Sequence, residues 1–371
     1  MTIVNPKRIE FARVRRQWTK TRLAKALGVD SRAIQGYESG EYSPEPANLE
    51  KIAELLKFPV VFFYGDDLPI IGDHAASFRS MSKMSGALKN SALTAGSIAF
   101  LFNEWMEERF SLPTADLPDL SDLPPEIAAE TLRRIWGLGE SPVQNIIHLL
   151  ESKGIRVFSL AIDAKEVDAY SVWNGGKPFV FLNTFKSAEH SRFDAAHELK
   201  HLVCDRHSML HGGEHTQKME KDAQAFASAF LMPSSNIIAS KPRFVSIEKL
   251  VELKKTWGVS VAALAFRMNQ LGLFTEWTYR SLCIDIAKSG YRTQEPEPMR
   301  PEFSQLLVKV LEKSRAEGIR LADIARDLNI YSEDLENLTF SLAITGLSSQ
   351  TNNFAESLDR PSRERPSLRV V

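Results

Sequence analysis

The sequence predicts an α+β chain that is mostly helical: an N-terminal helix-turn-helix bundle, a middle domain with a small sheet, and a helical C-terminal region. Three observations carry this. Apolar residues recur at helical spacing over most of the 371 residues. A capped helix, a tight turn and a second capped helix follow one another between Thr19 and Tyr37. Two β-rich runs, 171–173 and 178–183, flank Asn174-Gly175-Gly176, a strong hairpin signal.

Bulk composition narrows the class. Hydrophobic content of 43% and charged content of 25% are those of an ordinary globular chain. A net charge of −1 gives no global attraction to nucleic acid or membrane, so any such partner has to be read from local charge. Cys204 and Cys283 stand far apart, which argues against a disulfide framework and against a cysteine-clustered zinc site. The opening MTIVNPKRIEF lacks an apolar signal core, and no apolar run approaches bilayer length. A cytoplasmic chain with no membrane partner is the expectation.

The expected organisation runs as follows. Residues 1–65 form the helix-turn-helix domain. Residues 66–145 hold a linker to 85, a helix over 86–109, and a stretch, 113–125, whose prolines forbid one regular helix; helical spacing returns at 126–136 and 143–153. Residues 146–300 form the middle domain, with strands at 155–160, 171–173 and 178–183 and helices at 187–204, 218–230 and 246–273. Residues 301–346 are a helical appendage with helices at 302–316 and 320–345. The Ser-, Asn-, Pro- and Arg-rich tail 347–371 is expected to be disordered.

Within the first domain, Thr19 caps a helix whose inward positions are Leu23, Ala24 and Leu27, and Gly28 supplies the left-handed residue that ends it. Ser31 is the expected cap of the second helix, with Ala33, Ile34 and Tyr37 inward; Leu49, Ile52, Ala53 and Leu56 close the core. Arg13, Arg15, Arg16, Lys20, Arg22, Lys25 and Arg32 gather before and within the motif, where they could neutralise phosphates. Arg32 and Gln35, one turn apart behind Ser31, could reach base edges in a major groove. The candidate DNA-binding residues are therefore Thr19, Lys20, Ser31, Arg32 and Gln35, and the partner is a double-stranded DNA operator. Such bundles often dimerise on paired half-sites, so a homodimer is expected.

The segment His197-Glu198-Leu199-Lys200-His201 carries the chemistry. Four residues apart on a helix, His197 and His201 share a face and can bind one Zn²⁺. Glu198, displaced from His197 by about 100°, can handle the proton of a water polarised by the cation without ligating it. Metal-assisted peptide hydrolysis is the reaction class implied. Three residues compete for the third ligand. Glu220 shares a helix face with Ala223 and Ala227, small residues that permit close approach. His207 has metzincin spacing, but Cys204 stands where that pattern needs Gly. Asp222 lies on another face and suits a hydrogen bond to a ligating His. Tyr170, His211 or His215 could steady an oxyanion. The strand 178–183 is expected at a sheet edge beside the cleft.

The string TKTRLAKALGVDSRAIQGYESGEYSPEPANLEKIAELL resembles phage-repressor-type (Cro/cI, XRE-like) domains, with Lys20 where such domains usually carry Gln. The segments FRSMSKMS at 78–85, PFVFLN at 178–183, RFDAAHELKHLVC at 192–204 and EKDAQAFASAFLMP at 220–233 resemble the ImmA/IrrE metallopeptidases, as do VSVAALAFRMNQLGL at 259–273 and GYRTQEPEP at 290–298. The resemblance implies a zincin-like domain in which His197, His201 and Glu220 bind zinc and Glu198 is catalytic. It also implies a protein substrate such as a repressor. An alternative expectation is a regulator whose zincin-like domain senses without cutting. The family usually has Gly at position 200, so Lys200 is expected to point to solvent or lean along the cleft.

Overall fold

Alternation along three short strands sorts the molecule into two apolar cores. In this computed structural model, which describes residues 3–69, 71, 85–160, 169–206 and 214–340, β1 (Arg156–Ser159), β2 (Ala169–Asn174) and β3 (Lys177–Leu182) form one sheet in the order β1-β3-β2. β1 is parallel to β3 and β2 antiparallel to it. Successive strand side chains point to opposite faces. Phe158, Tyr170, Val172, Phe179 and Phe181 therefore enter one core, and Val157, Ala169, Val180 and Leu182 the other. The β2–β3 hairpin turns on Gly175 and Gly176 at φ 56° and 75°, values that favour glycine. The strand expected at an edge, β3, is instead central, and β2 is an outer strand.

The helix α5 (Gly86–Arg109) crosses the aromatic face of the sheet, with the Phe100 and Phe179 rings 4.6 Å apart. The same core continues into α1 (Pro6–Arg15), α2 (Lys20–Leu27), α3 (Ser31–Ser39), α4 (Pro46–Leu56) and a 3₁₀ turn at Val60–Tyr64. It also takes in the C-terminal helices α14 (Gln305–Ala316), α15 (Leu321–Asp327) and α16 (Ser332–Leu338). The head, the sheet and the C-terminal region thus share one apolar interior.

The opposite face of the sheet is covered by α6 (Pro125–Ile135), α7 (Ile146–Ser152), α8 (Ala188–Cys204) and α9 (Glu214–Leu231), backed by α10 (Ser234–Ala239), α11 (Ile247–Trp257), α12 (Val261–Gln270) and α13 (Glu276–Lys288). The single pattern expected over 246–273 is two helices, because left-handed Gly258 ends α11 and the Ser260 side chain caps α12. The pattern expected over 320–345 likewise divides, within its described part to residue 340, between α15 and α16, with Asn329 at φ 55° between them. Two helices, α10 and α13, were not anticipated. Among the described residues no helix is long and apolar enough to cross a membrane. Most of the expected linker, positions 70 and 72–84, and the tail 347–371 lie outside the described residues.

Candidate metal centre and DNA-reading face

Ser187 starts α8 by accepting the N–H of His190 at 3.2 Å, and the helix then runs beneath β2 and β3. One turn separates His197 from His201, and their Nε2 atoms approach to 3.3 Å. The helix α9 packs along α8, with Ala223 and Ala227 fully buried. Their small size brings Glu220 in: its Oε2 lies 3.3 Å from His197 Nε2, and its Oε1 3.8 Å from His201 Nε2. The three donor atoms sit within 4.8 Å of one another, and among the described residues no other group of His, Cys, Asp or Glu is so placed. Two imidazole nitrogens and one carboxylate oxygen, largely buried, suit Zn²⁺. Three protein donors are the number found in catalytic zinc sites, whereas structural sites are closed by four.

The electrostatics favour a cation. Burial alone would lower the pKa of His197, but the hydrogen bond to Glu220 and the charges of Glu198, Glu220 and Asp194 overcome it and hold the imidazole above its usual value. His201 Nδ1 is 2.6 Å from Asp205 Oδ2, so Nδ1 carries the proton and Nε2 presents its lone pair to the cluster. Burial would raise the Asp205 carboxyl, yet the bond to His201 and the charges of His201 and Lys200 keep it below the ordinary range. Asp194, one turn before His197, is pushed up by burial. Glu198 is buried, and Ser171 on β2 donates its hydroxyl to Glu198 Oε2 at 2.7 Å.

Several expectations need correction. Lys200 does not reach solvent or lie along a cleft. It is buried, and its Nζ donates to Asp205 Oδ1 and Oδ2 at 2.9 and 2.8 Å. A buried ammonium needs such a partner. Tyr170 is fully buried on the other face of the sheet, where its hydroxyl donates to the Ala92 carbonyl, so it cannot meet an oxyanion near Glu198. The carboxylate that orients His201 is Asp205 rather than Asp222. His207 and His211 lie outside the described residues, as does the side chain of His215. Asp205 had a readable signal, since it stands four residues after His201; Ser171, on a strand 27 residues before Glu198, had none.

The head shows the same mixture. The Thr19 side chain accepts the N–H of Arg22 at 3.1 Å, and Gly28 ends α2 at φ 75°. The cap of α3 is Asp30 rather than Ser31: its side chain accepts the N–H of Arg32 at 2.8 Å, and Ser31 becomes the first helical residue. Ser31, Arg32 and Gln35 are exposed together on α3. Half-buried Lys20 hydrogen-bonds Gln35 and pairs with Glu38 at 3.3 Å. Three of the arginines grouped with the phosphate-neutralising set are structural. Arg13 is buried against Glu38, with contacts of 2.5 and 2.9 Å. Arg15 and Arg16 reach Asp334 on α16, at 3.4 and 2.7 Å. The exposed cations left near α3 are Arg22, Lys25 and Arg32.

A helix-turn-helix head packed onto a domain whose small sheet backs an H-E-x-x-H helix defines a class: a DNA-binding-type head fused to a zincin-like domain. Comparison with family models finds the same two parts. Residues 9–63 match the helix-turn-helix family, and residues 150–269 match the IrrE N-terminal-like domain of the M78 peptidases. The chain thus joins a region that matches XRE-type helix-turn-helix domains to one that matches the ImmA/IrrE-type (M78) peptidase domain. No curated protein matches it significantly.

Proposed function

We propose that the chain is a DNA-binding transcriptional regulator that also cleaves a protein, a repressor or another regulatory protein, as a zinc-dependent endopeptidase. The observation that carries this reading is the convergence of His197, His201 and Glu220 donor atoms within 4.8 Å, with Glu198 on the same helix. His197, His201 and Glu220 would hold the zinc. Bound there, zinc would supply Lewis acidity, polarising a carbonyl and lowering the pKa of water. Glu198 takes the proton from the attacking water and returns it to the departing amine. Ser171 fixes one oxygen of that carboxylate through its 2.7 Å hydrogen bond. Asp205 fixes the tautomer of His201.

On the head, Ser31, Arg32 and Gln35 enter the major groove of an operator, while Thr19, Lys20, Arg22 and Lys25 face its phosphates. Lys20 also sets the orientation of Gln35 through their shared hydrogen bond.

The test is a substrate trap. Glu198→Gln keeps the shape of the side chain and removes its basicity. Expressed in the native host, it is expected to retain stoichiometric zinc and to hold an intact protein that the wild type cuts. Zinc retained, regulation unchanged and no protein cut by the wild type would instead point to a sensing domain. A wild-type protein without zinc ends the enzyme reading.

A further inference from the structure

We propose that Lys200 is a positioning residue for the metal centre, tying the orienting partner of His201 on α8 to the backbone beside Glu220 on α9. The inference rests on the zinc reading above and adds to it a residue outside the ligand set and the catalytic motif.

Lys200 is 5% exposed although it carries an ammonium. Its three donors meet three acceptors: Asp205 Oδ1 at 2.9 Å, Asp205 Oδ2 at 2.8 Å and the Met219 carbonyl at 3.4 Å. Each contact bears on a different part of the centre. Asp205 Oδ2 is also the oxygen 2.6 Å from His201 Nδ1, so the position of that carboxylate sets the angle at which Nε2 faces Glu220. Asp205 caps the end of α8, beyond its last helical turn, where the helix alone would hold it loosely. Lys200 grips it from inside the helix. Met219 directly precedes Glu220, so the third contact links the two helices at the level where all three donor groups meet.

Other roles fit the geometry less well. A solvent-facing lysine is excluded by burial, and an electrophile for substrate would need a donor not already engaged. A buried ammonium that only balanced the Asp205 charge would not need the Met219 carbonyl on a second helix.

The test measures zinc affinity, by competition with a chromophoric chelator, for the full-length wild type, Lys200→Met, Lys200→Arg, Asp205→Asn and the Lys200→Met/Asp205→Asn double variant. Removing an outer-shell partner of a metal ligand weakens binding by about 10–100-fold; that loss is expected for Asp205→Asn, and Lys200→Met, which acts on His201 through Asp205, should lose about tenfold. Lys200→Arg, which keeps donors and charge, should recover part of it. The double variant should bind within about threefold of Asp205→Asn alone, because both changes break one linkage. The Co²⁺ absorption spectrum of Lys200→Met should also shift. A lysine with only a structural role would lower the melting temperature while leaving affinity and spectrum unchanged, and that result overturns the proposal. If Lys200→Met fails to fold, wild-type affinity in both Lys200→Arg and Asp205→Asn overturns it equally. Zinc bound normally by the wild type and by Lys200→Met sinks this inference alone; a wild type that binds no zinc removes the enzyme reading with it.

Discussion

Ser171 reaches from β2 across to α8 and places its hydroxyl 2.7 Å from Glu198 Oε2, linking the outer strand of the sheet to the proposed base. Replacing Ser171 by Ala should lower kcat by about tenfold or more while zinc content stays at the wild-type level, because the carboxylate loses its anchor but the ligands do not. Cleavage of the protein recovered with the Glu198→Gln trap, measured beside metal content, checks this. Loss of zinc in the variant would show that Ser171 supports the ligands instead.

Metal binding should be acid-sensitive in a particular direction. His197 is held above its ordinary value of 6.5 in the metal-free protein, and a ligating imidazole must be neutral. Zinc affinity is therefore expected to begin falling at a higher pH than a free imidazole would dictate. The linkage has the opposite sign for the metal-free fold. The His197–Glu220 pair stabilises it fully below 6.5, and that contribution is lost as pH rises through the raised value. Zinc titrations and thermal melts across pH 5–9, run with and without chelator, would separate the two.

Glu151 on α7 accepts from Ser304 and from the N–H groups of Gln305 and Leu306, both at 3.0 Å, and so holds the start of α14. Burial outweighs these donors and pushes its carboxyl up from 4.5 to about 7. Between those values the folded chain keeps a proton that the unfolded chain has lost. Stability should then fall as pH rises from about 4.5 to 7 and level off above, by on the order of 3 kcal/mol for this group. Glu151→Gln should flatten that dependence in urea titrations. An unchanged slope would assign it to other groups.

The head is joined to the C-terminal region by Asp334, which is 1% exposed and receives Arg16 Nη1 and Nη2 at 2.8 and 2.7 Å. Asp334→Ala leaves two guanidinium groups without their buried partner and should cost roughly 3–5 kcal/mol. Chemical denaturation measures it. Asp334→Asn, which keeps one of the two acceptor oxygens, should lose less.

On the DNA side, Arg32→Ala and Gln35→Ala should each relax discrimination between operator variants by about 1–3 kcal/mol. Lys25→Ala should weaken binding to all sequences alike and reduce the salt slope by about one. Fluorescence anisotropy over a range of salt concentrations distinguishes these outcomes.

Local signals made much of this legible. The helix over 86–109, the Asn-Gly-Gly hairpin, the capping Thr19 and the four-residue spacing of His197 and His201 are all carried by neighbouring residues, and the structure has each. Facts that depend on distant partners were hidden. Nothing near Arg15 or Arg16 announces Asp334, more than 300 positions away, so both read as phosphate contacts. Nothing near residue 178 says that β1 would pair with its outer side and make β3 central. Lys200 illustrates the same limit from within one helix. A lysine among apolar residues reads as a solvent-facing charge until the Asp205 carboxylate and the Met219 carbonyl are seen to meet it.

The shared interior has a practical consequence for dissecting this molecule. Phe11, Phe58 and Phe62 of the head lie in the same apolar mass as Phe102 and Leu335. A fragment cut after residue 65 would lose the helix α5 that packs on α1 and the Asp334 partner of two arginines. Such a fragment would come out of solution more readily than the intact chain. Tests of DNA binding and of peptide cleavage are thus best made on one undivided polypeptide, in which the head and the aromatic face of the sheet share their packing.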